Sequence, residues 1–275
     1  MIGVLAGLYD AGLDVTTADL TVGTSAGSTA AAQLSGATPA ELFAAILAAP
    51  PQPPTGSAGS GDGRERVRPT VDHLERTSRI IAGARDAADM RRRMGAAALE
   101  LAGSSDPSWQ ARWRATVAAR LTSQHWPGRA VQITAVDADS GEPVVFDKHS
   151  GVDLADAVAA SCASAFAYRI GDHRYLDGGY RRNENADLAA GYGRVLVLSP
   201  FGGRTRTPLE WGMQLARQVD ELRAGGGRVE TVFPDADSEH LFGANAMDLS
   251  LRPPAAQAGY DQGRRLAGPL TEFWG

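Results

Sequence analysis

The stretch TVGTSAGS, residues 21–28, places a serine between two glycines where a strand gives way to a helix. A short strand is predicted over residues 18–22, and a helix rich in small residues follows the stretch. A nucleophilic serine on such a sharp turn needs neighbours without bulky side chains. Gly23 and Gly27 flank Ser25 at two residues' distance. The stretch therefore predicts a serine hydroxyl exposed at the edge of a sheet.

The residues next to Ser25 belong to the same pattern. The helix N-terminus behind Ser25 offers the backbone N–H of Ala26 to a developing oxyanion, and Thr24 completes the Gly-x-Ser-x-Gly motif. The motif is weak by itself, because a chain with 32 glycines contains a chance match about once in four sequences. A second motif is needed to support a nucleophilic role.

The candidate partner of Ser25 lies far along the chain. Asp177 follows a short predicted strand at residues 175–176 and precedes Gly178 and Gly179. Two adjacent glycines let the backbone turn tightly and approach other groups closely, although an Asp-Gly-Gly is also common in a simple turn. Together with the serine motif, it predicts a carboxylate base for the Ser25 hydroxyl.

A histidine is the alternative base. The chain has five histidines, and each is by default a surface residue or a satisfied core residue. In α/β-hydrolases the order is serine, acid, histidine, so a triad of Ser25, an aspartate and His240 is allowed. That fold builds several strands before its serine, whereas only 24 residues precede Ser25 here. The triad is therefore the less favoured interpretation.

Alternating strands and helices predict an α/β fold around one sheet. A hairpin is predicted from residues 130–136 and 143–146, and the apolar residues 194–198 are typical of the buried middle of a parallel sheet. A helix is predicted over residues 208–223. We expect a single domain that spans residues 1–275.

Two segments before the hairpin differ in composition from the rest. Residues 50–63 (PPQPPTGSAGSGDG) predict a flexible Pro/Gly/Ser loop. Residues 64–122 are helical in composition and predict an insertion, with a lid over the site as the functional interpretation. Nine arginines against five acids over residues 64–93 predict a solvated helix face, with peripheral contact to an anionic membrane surface as the alternative.

Composition excludes several functions. The net charge of −5 argues against a nucleic-acid partner, which needs a basic face. Cys162 is the one cysteine, and no carboxylate or histidine cluster has ligand spacing, so neither a disulfide nor a metal site is expected. No window reaches the ~20 predominantly apolar residues of a membrane span, and the first residues lack the basic charge of a secretory signal. We expect a cytoplasmic protein without a transmembrane segment.

These features together resemble the patatin-like phospholipase family. The similarity is strongest in three places: residues 2–5 running to 22–28, residues 135–137 and 141–146 with 160–163, and residues 175–179 followed by Asn183 and residues 185–187. The combination is specific, whereas either motif alone is not. The resemblance implies a three-layer α/β/α fold with a mostly parallel central sheet, and a bacterial serine esterase that degrades lipids.

The resemblance also implies a Ser–Asp dyad in place of a triad. Ser25 would attack the carboxyl ester of a lipid to give an acyl-enzyme, which water then hydrolyses. Asp177 would accept the serine proton and return it to the leaving alcohol. The backbone N–H of Ala26 would face the oxyanion, and no cofactor is implied.

The sequence departs from the family in two places. Members carry a strand and a glycine-rich oxyanion loop before the helix that starts here at Met1, and the glycines at 202–203 and 225–227 do not replace that loop. Residues 165–168 are shorter than the family's stretch before the aspartate strand, which affects the acyl pocket. We expect that the true start lies upstream. The alternative to an active hydrolase is an impaired scaffold that serves as a lipid- or protein-binding module.

Overall fold

The computed structural model describes residues 1–50, 68–242, 245 and 248–275. Apart from Pro50, the loop predicted over residues 50–63 lies outside the described residues. The strands of the described part are β1 (Leu20–Gly23), β2 (Ala130–Asp137), β3 (Pro143–Phe146), β4 (Tyr168–Ile170), β5 (His173–Asp177), β6 (Arg194–Leu198) and β7 (Arg228–Val232). The helices are α1 (Ile2–Asp10), α2 (Ala26–Gln33), α3 (Pro39–Ala48), α4 (Arg68–Gly83), α5 (Ala87–Leu99), α6 (Ala102–Ser105), α7 (Pro107–Ala118), α8 (Leu154–Ser161), α9 (Leu215–Ala224) and α10 (Arg252–Trp274).

The five-stranded sheet is mixed. β1 pairs with β2 in parallel, whereas β2–β3, β2–β5 and β4–β5 are antiparallel. β6 and β7 form a separate parallel pair. The predicted predominance of parallel pairing is therefore wrong for the larger sheet. Short turns join β2 to β3 and β4 to β5, and a short turn can join only antiparallel strands. The third antiparallel pair, β2–β5, joins strands that are distant in the chain.

Strand β2 carries β1 and β5 on the same edge. Gly23 at the end of β1 lies opposite Ile133, and Asp177 at the end of β5 lies opposite Ala135. Both Ile133 and Ala135 pair with β3 on their other edge. β1 and β5 therefore run toward each other and end on either side of Thr134. This arrangement brings the two sequence motifs to one point.

Helices cover both faces of the strands. On one face of β2, helices α2, α7 and α8 contribute to a core that contains Ile133 and Leu154. On the opposite face, α5 packs against β2 and β5 through Met90 and Leu176. These layers confirm the predicted three-layer α/β/α fold. None of the helices in the described part of the chain is both long enough and apolar enough to cross a membrane.

The smaller sheet lies between two sets of helices. Val195 and Val197 of β6 pack toward α9, whereas Leu196 and Leu198 pack toward α1 and α10. The strand predicted over residues 194–198 is confirmed, and both of its faces are covered. Its predicted place in the middle of a sheet is wrong. Among the described strands β6 pairs with β7 alone, and β6 also lines a cavity.

The predicted helix over residues 208–223 is wrong in its first half. A short 3₁₀ turn (Leu209–Trp211) ends at Gly212, which has φ +65°, and α9 begins at Leu215. The left-handed conformation of Gly212 interrupts the helical backbone. The apolar pattern that predicts one helix therefore extends over two elements, the 3₁₀ turn and α9. The strand β4 is not among the predicted strands, because three residues are too few for a periodic signal.

The arginine-rich segment is partly engaged within the protein. Arg85, Arg92 and Arg93 surround the carboxylate of Asp89 at 3.0–3.7 Å, and Arg91 Nε donates to the carbonyl oxygen of Gly141 at 2.7 Å. The ion pairs around Asp89 therefore stabilise the first turns of α5, and Arg91 connects α5 to the β2–β3 turn.

Candidate active site

Ser25 occupies a strained turn between β1 and α2. Its backbone has φ +52° and ψ −120°, and such a conformation costs a non-glycine residue on the order of 1–3 kcal/mol. A Cβ at Gly23 would come within 2.6 Å of Ser28 Cα, whereas one at Gly27 would meet nothing within 4 Å. Packing therefore requires glycine at position 23, whereas a Cβ at position 27 would meet no neighbouring atom.

Asp177 faces Ser25 from the end of β5. Ser25 Oγ donates a hydrogen bond of 2.7 Å to Asp177 Oδ2. The other carboxylate oxygen, Oδ1, accepts from the backbone N–H of Gly179 at 2.8 Å. A Cβ at Gly178 would lie 2.1 Å from Thr134 Oγ1, so the turn can pass β2 only with glycine there. Both glycines of the Asp-Gly-Gly motif thus help to position the carboxylate.

The carboxylate of Asp177 is held in an environment that disfavours its charge. Burial raises the pKa of Asp177 to about 6, and the hydrogen bonds from Gly179 and Ser25 oppose that rise. A pKa near 6 leaves the group mostly ionised at neutral pH and makes it a better proton acceptor than an exposed aspartate. The Asp177 carboxylate can therefore accept the proton of the Ser25 hydroxyl.

One backbone amide beside Ser25 is free to bind an anion. Helix α2 begins at Ala26, and no acceptor among the described residues is bonded to the Ala26 N–H. The N–H of Ser25 itself is occupied, since it donates to Ser161 Oγ at 2.9 Å. The site thus offers one amide at a helix N-terminus, where the dipole favours negative charge.

A buried polar network holds the two motifs together. Thr24 Oγ1 and Thr134 Oγ1 are 3.0 Å apart. Asn185 Nδ2 lies 2.9 Å from Thr24 Oγ1 and 3.1 Å from the carbonyl oxygen of Gly178. Asn185 is fully buried and left-handed, with φ +51°. This amide therefore joins the serine turn, β2 and the aspartate turn.

The sequence alone predicts no role for Thr134, Asn185 or Ser161. Ser161 ends helix α8 and is fully buried, and Thr134 lies inside β2. Asparagine just before a short helix is a weak sequence signal for a left-handed residue. The roles of Thr134 and Ser161 have no local signal, because they depend on contacts between distant segments.

Ser25 and Asp177 lie at the wall of a large cavity. Its volume is about 1090 Å³, and both Ser25 and Asp177 line it. Tyr180, Met213 and Phe201 also border it, and Phe201 is 46% exposed at the surface. This volume slightly exceeds the range of roughly 300–1,000 Å³ that is typical of small-molecule sites.

The histidines do not complete a triad in this structure. His240 is exposed in the turn Ala236–Leu241 and does not border the cavity. His73 does line the cavity, but its ring nitrogen Nδ1 lies 3.3 Å from Arg76. Burial, with Arg76 and Arg206 nearby, lowers the pKa of His73. The described hydrogen bonds of Ser25 Oγ and Asp177 involve no histidine.

An α/β fold with a strained serine at a strand-to-helix turn is typical of the broad class of α/β serine hydrolases. A family model described as patatin-like phospholipase matches residues 1–190, which include Ser25, Asp177 and the whole five-stranded sheet. The chain belongs to the patatin-like phospholipase family. A search of curated proteins found no significant match.

Proposed function

We propose that this chain hydrolyses carboxyl esters of lipids, with Ser25 as the nucleophile and Asp177 as the base. The observation that carries the proposal is the hydrogen bond of 2.7 Å from Ser25 Oγ to Asp177 Oδ2. The family supports lipid acyl hydrolysis in general terms. The cavity beside the pair supports a bulky, largely apolar substrate.

The first half of the reaction transfers the acyl group to the enzyme. Ser25 Oγ attacks the ester carbonyl carbon while its proton moves to Asp177 Oδ2, so the carbonyl oxygen becomes an oxyanion. Collapse of this tetrahedral intermediate breaks the bond to the alcohol. The leaving oxygen takes the proton from Asp177, which returns the carboxylate to its starting state.

The second half reverses these roles with water. Asp177 accepts a proton from the attacking water, and a second tetrahedral intermediate forms at the acyl carbon of Ser25. Its collapse releases the carboxylic acid and returns the proton to Ser25 Oγ. A single carboxylate therefore serves both steps, because it alternates between base and acid.

Among the described residues, we assign one donor to the oxyanion, the N–H of Ala26 at the start of α2. Removal of one oxyanion donor from a typical site costs about 10²–10³ in rate. A site with a single backbone amide is therefore expected to turn over slowly. The same observation favours a second candidate function, in which the scaffold binds lipid or protein without useful catalysis.

Hydrolysis of two esters distinguishes these candidates. p-Nitrophenyl butyrate tests the chemistry with a soluble substrate, and vesicles of dioleoylphosphatidylcholine test it with a phospholipid. We expect release of product that is lost in Ser25→Ala and kept in Ser164→Ala. Ser164 lines the same cavity, and the described hydrogen bonds of the Asp177 carboxylate go to Ser25 and Gly179 instead. Equal rates in Ser25→Ala and the wild type would contradict the dyad. Folded protein that hydrolyses neither ester would favour the binding function.

A further inference from the structure

Helix α4 and the loop after β6 bring basic side chains to one part of the cavity wall. His73 of α4 and Arg206 of the loop both line the cavity. The two elements are in contact, since Arg206 Nη2 donates to the carbonyl oxygen of Leu74 at 3.1 Å and to Ser78 Oγ at 2.7 Å. His73 is partly buried, whereas Arg206 is exposed. The pair therefore lies where the cavity meets solvent.

Arg76 determines which nitrogen of His73 carries the proton. Arg76 Nη2 lies 3.3 Å from His73 Nδ1, and a guanidinium nitrogen can only donate, so Nδ1 is the acceptor. Burial and the charges of Arg76 and Arg206 lower the pKa of His73, so the ring is neutral at pH 7 and its one proton is on Nε2. No acceptor among the described residues is bonded to this N–H. His73 therefore keeps a hydrogen-bond donor for a ligand.

The two guanidinium groups have uncharged partners in the described part of the chain. Arg76 donates to His73 and to the carbonyl oxygen of Ala165, and the acceptors of Arg206 are a carbonyl oxygen and a hydroxyl. Hydrogen bonds between a guanidinium and an anion are roughly twice as strong as those between neutral groups. Two positive charges beside a free N–H donor therefore favour the binding of an anion.

Residues 163–165 connect this part of the wall to the dyad. Their carbonyl oxygens accept, in order, from the backbone N–H of Asp177 at 2.9 Å, from Tyr180 Oη at 2.6 Å and from Arg76 Nη2 at 3.3 Å. Two residues of extended chain span at most about 7 Å, so Arg76 is held close to Asp177, and His73 with it. An ester bound at the dyad can therefore reach His73 with a group a few bonds from its carbonyl carbon.

We propose that His73 and Arg206 form a phosphate subsite, which selects esters whose alcohol part carries a terminal phosphate; this inference rests on the function proposed above. The charged group stays at the exposed rim, where loss of hydration costs least, while the acyl chain enters the cavity. A terminal phosphate has several oxygens that accept from Arg206 and His73 at once. A neutral glycerol ester lacks these acceptors, and the ammonium of a phosphocholine ester adds a positive charge near Arg76 and Arg206.

Hydrolysis of three soluble esters tests this selection: 1-hexanoylglycerol 3-phosphate, neutral 1-hexanoylglycerol and 1-hexanoylglycerol 3-phosphocholine. We expect kcat/KM of the phosphate ester to exceed the other two about tenfold, the effect of one hydrogen bond to a charged group. Arg206→Gln and His73→Leu should each abolish most of this preference. Arg79→Gln should keep it, because Arg79 is an exposed residue of α4 that does not line the cavity. An equal loss for all three esters in Arg206→Gln would overturn the proposal and identify Arg206 as a structural contact to α4.

Ligand binding to Ser25→Ala separates the phosphate subsite from the chemistry. Isothermal titration calorimetry with hexyl phosphate measures the subsite without an ester, and hexanol and inorganic phosphate are the controls. We expect hexyl phosphate to bind about tenfold more tightly than either control, and addition of Arg206→Gln to remove the difference. This result in a protein that hydrolyses no ester would support the subsite and contradict the hydrolase, whereas hydrolysis without preference for phosphate would overturn the subsite alone. Equal Kd values for inorganic and hexyl phosphate would assign the subsite to free phosphate and also overturn the proposal.

Discussion

Ser25 Oγ lies 2.7 Å from Asp177 Oδ2, although the two residues are 152 positions apart in the chain. β1 and β5 run toward each other along one edge of β2 and end on either side of Thr134. The contact is therefore a product of sheet topology. Changes at either residue, or at the strand between them, are expected to affect the same reaction.

Replacement of Asp177 with asparagine is expected to remove the base while it keeps the shape of the side chain. Asp177→Asn should lower kcat for p-nitrophenyl butyrate at least a hundredfold, in the range typical for general-base catalysis. Asp172→Asn is the control, because that carboxylate is fully exposed and does not line the cavity. Activity of Asp177→Asn equal to that of Asp172→Asn would rule out the proposed base.

The pH dependence of hydrolysis is expected to follow Asp177. Burial raises its pKa to about 6, and the base must be ionised to accept the serine proton. kcat/KM should therefore rise about tenfold per pH unit below pH 6 and level off above it. A rate that is independent of pH between 4.5 and 7.5 would contradict this assignment.

The same ionisation predicts a difference in stability. The pKa of Asp177 in the folded protein is above its usual value of 3.8, so the folded state binds the proton more tightly than the unfolded state. The contribution of this group to stability therefore falls as pH rises from about 4 to 6. Asp177→Asn lacks this pH-dependent loss of stability. The Tm of the variant minus the Tm of the wild type should therefore increase as pH rises from about 4 to 6. Thermal unfolding at pH 4, 5, 6 and 7 measures it, and a constant difference in Tm would contradict it.

The glycines of the two motifs are expected to differ in their tolerance of alanine. A Cβ at Gly178 would clash with Thr134 in a buried turn, whereas one at Gly27 would meet nothing. Gly178→Ala should lower both Tm and activity. Gly27→Ala should keep the Tm or raise it slightly, because alanine favours the helix. Equal effects of the two substitutions, by thermal unfolding and ester hydrolysis, would show that the turn is looser than these contacts indicate.

Thr134 is expected to act as a positioning residue. Thr134→Val keeps the shape of the side chain but removes the hydroxyl 3.0 Å from Thr24, and it leaves Asn185 with one partner fewer. Unfolding should become easier by about 1–3 kcal/mol, with kcat reduced more than KM is raised. Thr231→Val in β7 is the control, since Thr231 does not line the cavity. Unchanged kcat in Thr134→Val would show that Thr134 does not position the reacting groups.

The local parts of the site could be predicted from the sequence. The serine turn depends on small residues between a strand and a helix, and the aspartate turn depends on two glycines after a strand, so both have short-range signals. The sequence predicts strands at residues 143–146 and 194–198, and the structure has strands with the same bounds. The assignment of Ser25 and Asp177 as catalytic residues stays a prediction.

The long-range parts could not be predicted. The shared edge of β2, the roles of Thr134 and Asn185, and the open edge of β6 depend on which segments meet in space. The apolar run of β6 was predicted to have two neighbouring strands, because burial of both faces gives the same pattern. The structure provides that burial through helices on both sides and leaves one edge of β6 on the cavity.

Covalent labelling by an active-site-directed fluorophosphonate reports whether Ser25 is an activated nucleophile. We expect one label per folded molecule, located on Ser25 by peptide mass spectrometry. The label should be absent in Ser25→Ala, slowed in Asp177→Asn and unchanged in Ser164→Ala. Failure of the folded wild-type protein to react, or a label on another residue, would contradict the claim that Ser25 is an activated nucleophile.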